Sequence, residues 1–162
     1  MEVLSRGKTS KGEWVYGDLV HPKSNYVFGN HSRPIDDKYA FILTTCWVHG
    51  GRFCSNGVCW VLSETVGQYT GLTDKNGNKI FEGDVFEERE YETRGVVVFE
   101  NGAFKIKWYG VKTVLREYGY DDNGGWDEIE TESFDMYYIN QMEVIGNIHD
   151  NPTLISGENN YE

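Results

Sequence analysis

From Val66 to Phe86 the chain sets turn residues so close to short β-type pairs that no helix of useful length fits between them. Asp74, Lys75, Asn76 and Gly77 make a tight-turn sequence, because Asn and Gly adopt positive φ at little cost. Ile80-Phe81 and Val85-Phe86 are apolar strand pairs on either side of Gly83-Asp84, which predicts a bend between them. The same vocabulary continues outside this stretch, with 19 Gly and 15% aromatic residues, so many short strands and turns are expected. The fold class read from the residues is mostly β with little helix. At 162 residues the chain has room for one ordinary domain or for two small β units.

Toward the N-terminus, Glu13 to Val20 reads as a strand broken by a bend at Gly17-Asp18. Its order of apolar pair, spacer, Gly-Asp and apolar pair returns 66 residues later at Gly83-Asp84. That is either a degenerate duplication or two independent bends. Residues 21–38 read as an irregular connection, and Tyr39 to Val48 as a buried strand. Turns at Gly50-Gly51 and at Ser55-Asn56-Gly57 then lead into the apolar run Val58 to Leu62, completing an N-terminal β subdomain over residues 1–62.

Further along, Gly95 to Phe99 and Ala103 to Trp108 flank Asn101-Gly102, a hairpin signal because a type I′ turn needs positive φ at both central positions. Together with the Gly-Asp entry this predicts an SH3-like β-barrel over residues 63–150, interrupted by an acidic insertion at 117–135. Asp135 to Asn140 and Glu143 to Ile148 would supply closing strands or a short helical turn. Residues 151–162 read as a flexible polar tail.

Charge is distributed unevenly. All 15 Lys and Arg residues lie at or before Arg116, where 14 acidic residues leave a net +1; residues 117–162 hold 12 acidic residues and no basic one. Such a region repels phosphates and suits a basic partner, so direct nucleic-acid binding is disfavoured. No run of about 18 apolar residues is present, and the start lacks the basic-then-apolar order of a signal peptide. The expectation is a soluble cytoplasmic protein with no membrane partner. Three Cys form an odd set, which disfavours a disulfide framework and makes reduced thiols the default.

Three blocks carry a family resemblance: Gly12 to Leu19, Glu64 through Val85, and Val144 to Pro152. In these the chain resembles the YopX family of phage and prophage proteins, in family order and across nearly its whole length. The resemblance implies a phage or prophage origin and the cytoplasm of a bacterial host. It implies no activity. The stretches that depart most from the family pattern are the Cys-containing segment 46–59 and the acidic segment 117–135, which makes them the places to look for a special role.

Few residues suggest chemistry. Cys46, His49, Cys54 and Cys59 have the number and ligand types for a closed zinc site, though in unusual order; alternatively Cys46 and Cys59 are small core residues on apolar strands, with His49 and Cys54 beside turns. Asp74, Asn76 and Asn78 resemble part of a calcium loop, but the glycine comes two positions early and no bidentate Glu follows. His21, His31, His49 and His149 sit in unrelated contexts, and no nucleophile elbow, phosphate loop or metalloprotease helix is present. The chain is therefore expected to be non-enzymatic, with no catalytic residues, no metal and no cofactor. Its expected role is a protein-interaction or assembly module that self-associates or binds a basic host or phage protein. The alternative is a nucleic-acid-directed protein, either a DNA mimic through the acidic segment or a direct binder through the barrel.

Overall fold

A computed structural model describes residues 4–20, 38–44, 54–55, 57–88, 93–110, 127–133, 139 and 141–156, with the backbone alone at 54–55, 88, 110 and 127–133. The chain divides into two compact units, Met1–Tyr69 and Thr70–Glu162. Both are antiparallel β structures, so the mostly β class holds.

The first unit builds its sheet from strands β1 (Ser5–Lys8), β2 (Trp14–Val20), β3 (Tyr39–Leu43), β4 (Cys54–Ser55), β5 (Val58–Leu62) and the first half of β6 (Gly67–Thr73). Their order is β4-β5-β3-β2-β1-β6. Alternation along these strands sends Ala40, Ile42 and Val61 into one face, where Val15, Leu19 and Val66 pack against them. The β1-β2 hairpin is fixed by Thr9, whose backbone N–H donates to the Glu13 carbonyl at 2.9 Å and whose hydroxyl oxygen accepts from Lys11 and Glu13 N–H. A 3-10 turn, Ser63–Thr65, is tied to β1 because the Thr65 hydroxyl accepts from Lys8 N–H and donates to the Leu62 carbonyl, both at 2.8 Å.

Gly17-Asp18 does not bend the chain. β2 runs through it, pairing Gly17 with Ser5 on one side and Asp18 with Leu43 on the other. Gly is needed there for proximity, because a Cβ on residue 17 would collide with the Leu43 carbonyl. Gly83-Asp84 does bend it: Gly83 has φ +84° and the Asp84 carboxylate accepts Phe81 N–H at 2.8 Å. The two Gly-Asp pairs solve different problems, so the fold lends no support to a duplication.

The second unit contains the rest of β6, β7 (Lys79–Phe81), β8 (Asp84–Glu88), β9 (Thr93–Glu100), β10 (Ala103–Gly110), β11 (Asp127–Ser133), β12 (Val144–Asn147) and a one-turn helix, α1 (Thr153–Ser156). Asn101 and Gly102, at φ 54° and 79°, form the anticipated two-residue turn between β9 and β10. Ile80, Phe86, Val97, Ile106, Ile139 and Met142 make the core, with Leu72, Phe104, Trp108 and Val144 around it.

Strands β8 to β12 form one sheet in the order β11-β10-β9-β8-β12. The return of the last strand to the first is the connectivity a small barrel needs. The anticipated SH3-like barrel is nevertheless not closed among the described residues, because β11 and β12 are opposite edges of an open sheet. β12 is only four residues long, shifts register between Val144 and Gly146, and ends in a turn. Most of the anticipated acidic insertion's latter half is also no insertion, since Asp127–Ser133 is strand β11, paired along β10.

Candidate functional site

The residues that dominate the sequence signature converge on a structural lock. Asp74 is 4% exposed. Its Oδ1 accepts the backbone N–H groups of Asn76 at 2.9 Å and Asn78 at 2.8 Å; Oδ2 accepts the Asn78 side-chain amide at 3.1 Å and Val144 N–H at 3.3 Å. Burial by itself would raise this carboxyl, but the hydrogen bonds from the Asn78 side chain and from the Asn78, Val144 and Asn76 backbone together outweigh it and hold the group below its ordinary value of 3.8. The neighbouring Lys75 N–H donates to the Met142 carbonyl at 2.9 Å. Both carboxylate oxygens thus serve N–H donors, which accounts for the calcium-like residues by turn geometry.

The same convergence joins the 82–85 and 144–152 blocks. Asn147 pairs with Asp84 in the β8-β12 ladder, and Ile148 N–H donates to the Gly83 carbonyl at 2.9 Å. The Asn147 side-chain oxygen accepts from His149 and Asp150 N–H at 3.0 and 2.9 Å, while its amide donates to Asp150 at 2.8 Å. Arg94 donates to the Leu154 carbonyl at 2.7 Å and so holds α1. His149 lies in this turn; His21, His31 and His49 lie outside the described residues.

In the Cys-containing segment, Cys46 and His49 lie outside the described residues, and Cys54 is placed by its backbone opposite Cys59 in the β4-β5 ladder. Cys59 is fully buried and disulfide-bonded. The expectation of reduced thiols is overturned at this position, and the four-ligand zinc reading fails with it, because a sulfur in a disulfide has no thiolate to give a metal. Among the described residues, no three His, Cys, Asp or Glu side chains come together as metal ligands.

Two surface features fall outside the signature. One is β11, where Asp127, Glu128, Glu130 and Glu132 occupy four of seven positions on a sheet edge. Charged edge strands resist adventitious strand pairing. The other is a face of the first sheet that sequence reading did not assemble. The register places Trp60 opposite Phe41, Leu43 opposite Asp18, Tyr16 opposite Arg6, and Trp14 opposite Lys8, all on the face away from Ile42 and Val61. On it Tyr16 is 47%, Leu43 42% and Trp60 38% exposed. Trp60 packs edge-on against Phe41 at 4.7 Å, and the Arg6 guanidinium lies 4.7 Å over Trp14 with the Lys8 ammonium at 5.5 Å. Alternation in each strand was legible; which strands lie side by side was not.

No curated protein is similar to the chain at a significant level. The family described as YopX protein matches residues 7–156, nearly the whole chain and all three of the blocks just located in the fold. The chain belongs to the YopX protein family.

Proposed function

We propose that this protein is a non-enzymatic interaction or assembly module of phage or prophage origin, acting in the cytoplasm of a bacterial host and associating with itself. The observation that carries the reading is the exposed face of the first sheet, where Tyr16, Leu43 and Trp60 stand together, three of the five large hydrophobic side chains exposed among the described residues. Exposed aromatic side chains grouped on one sheet face are enriched at protein interfaces. The family blocks support a structural role for their polar residues, since Asp74, Asp84 and Asn147 hold backbone groups. Among the described residues no helix is long and apolar enough to cross a membrane. Mass measurement in solution over a range of concentrations tests the reading: self-association is expected at micromolar concentration, and a strict monomer at every concentration would remove it.

One observation favours a second reading, that of a DNA mimic capturing a basic protein. It is the placement of four carboxylate residues along seven positions of β11. Pull-down from host lysate with the intact chain and with Asp127→Asn, Glu128→Gln, Glu130→Gln and Glu132→Gln combined would show a partner lost on neutralisation. Direct nucleic-acid binding by the second unit gains less support, because Lys107 and Arg94 are already matched with Glu100 at 2.8 Å and Glu87 at 3.6 Å.

A further inference from the structure

We infer that the sulfur bonded to Cys59 is that of Cys54, and that this disulfide is a redox clasp holding the edge strand β4 on β5. Cys59 is fully buried and disulfide-bonded, and within the chain only Cys46 and Cys54 can supply its partner. Strand register chooses between them. Two residues stand directly opposite Cys59, Ile42 on β3 and Cys54 on β4, and residues directly opposite share a face of the sheet.

The phase of the hydrogen bonds supports the same choice. Thr44 N–H donates to the Gly57 carbonyl at 2.8 Å, which continues the β3-β5 ladder past the Leu43-Val58 pair. Bonded and non-bonded pairs alternate along an antiparallel ladder, so Leu43-Val58 is non-bonded and Ile42-Cys59 is bonded. Cys59 therefore turns its N–H and C=O to β3, which makes Cys54-Cys59 a non-bonded pair, and Val58 turns its N–H to β4. Non-bonded pairs are the closer kind, with Cα atoms about 4.5 Å apart, inside the span of roughly 4.4–6.8 Å that a disulfide bridges.

The bond fixes little besides β4. It closes a ring of residues 54–59 only, and β4 meets β5 at two pairs, Cys54-Cys59 and Ser55-Val58. β5 is held independently, by five pairs with β3 and by the packing of Val61 with Ala40 and Ile42. A Cys59 thiol fits that apolar setting as a small hydrophobe. Reduction by a dithiol is then a local event. The reductant's thiolate attacks one sulfur and breaks the bond, and its second thiol resolves the mixed disulfide; two electrons and two protons end on Cys54 and Cys59, and the reductant leaves as a disulfide. The bacterial cytoplasm proposed above supplies such dithiols and makes the bond a reversible one, whereas the pairing itself does not rest on that location.

Two measurements test this. Protein purified without reductant is alkylated in denaturant and cut with trypsin, which separates Cys46, in residues 39–52, from Cys54 and Cys59, in residues 53–75. Label on the first peptide is expected, with an unlabelled second peptide lighter than its reduced form by the two thiol hydrogens. The two peptides joined to each other, or label on both cysteines of the second, overturns the pairing and the clasp with it. Adjacent backbone amides then read the clasp. When dithiothreitol is added to the native protein, Val58 N–H should exchange about tenfold faster or more, while Cys59 N–H stays protected by β3. Reoxidation by dissolved oxygen after the reductant is removed should restore Val58. Protection lost at both amides would make the bond a staple of the whole sheet, and protection unchanged at both would show β4 held without it. Either result overturns the clasp and leaves the pairing standing, and all of these outcomes are independent of self-association.

Discussion

Asp74→Ala should cost this protein more than a change at any of the exposed residues 75–79 of the same turn. The substitution removes an acceptor that serves Asn76 and Asn78 N–H at 2.9 and 2.8 Å, the Asn78 amide at 3.1 Å and Val144 N–H at 3.3 Å. Hydrogen bonds to a charged acceptor contribute about 1.5–3 kcal/mol each when isolated. Asn76 and Asn78 are exposed and can turn to water, so their loss is partly recovered; Val144 is half-buried and recovers less. A net cost of about 2–4 kcal/mol follows, against a total of about 5–15 kcal/mol for an ordinary domain. For a chain of this size that is a fall in Tm of roughly 6–12 °C. The pH dependence has a definite sign. Because the folded carboxyl titrates below its ordinary 3.8, its contribution is fully present above that value and is lost as pH falls through the folded one. Thermal melts followed by tryptophan fluorescence, at neutral pH and in steps through the acid range, should show wild type and Asp74→Ala converging as acid is added. A neutral-pH Tm within about 1 °C of wild type, or a gap that stays constant into acid, would refute the reasoning.

Gly17→Ala should destabilise the first unit by about 2–3 kcal/mol, read by urea titration, because the new methyl meets the Leu43 carbonyl; Lys11→Ala in the exposed β1-β2 turn should change stability by less than about 0.5 kcal/mol. Arg94→Met should lose about 1–2 kcal/mol and expose α1 to proteolysis, since the guanidinium holds the Leu154 carbonyl; unchanged cleavage would show the helix is held by other means. Thiol titration of the denatured chain, purified without reductant, should find one free thiol of three, rising to three after reduction, and three at the outset would contradict the disulfide at Cys59.

Local chemistry made much of this fold legible. Asn101-Gly102 turns as its two positive φ values require, Gly83-Asp84 bends, Val58–Leu62 is a strand, and so is Tyr39–Leu43, the first half of the run predicted to reach Val48, of which residues 45–48 lie outside the described residues. Gly17-Asp18 misled for a physical reason: Gly serves turns and close strand approach equally, and only the neighbour, Leu43, distinguishes them. The acidic stretch suggested an insertion because charge runs are usually solvated, yet pairing with β10 satisfies the backbone of Asp127–Ser133 whatever the side chains carry. Cys59 could not be assigned from an odd cysteine count, which says nothing about which sulfurs meet. The aromatic face needed the order β5-β3-β2-β1, a non-local fact that no strand records by itself.

The β8-β12 ladder also sets a schedule for synthesis. Val144 pairs with Phe86, and Asp74 waits for Val144 N–H, so a strand made well after β8 completes the one that opens the sheet. Such long-range pairing carries a large loop-closure cost and holds folding back until both partners exist. The first sheet, by contrast, pairs β1 to β6 among themselves before β8 is made. A nascent chain would therefore carry a formed first unit and an open second one until β12 is made, and a stop codon between β7 and β12 would release it in that state.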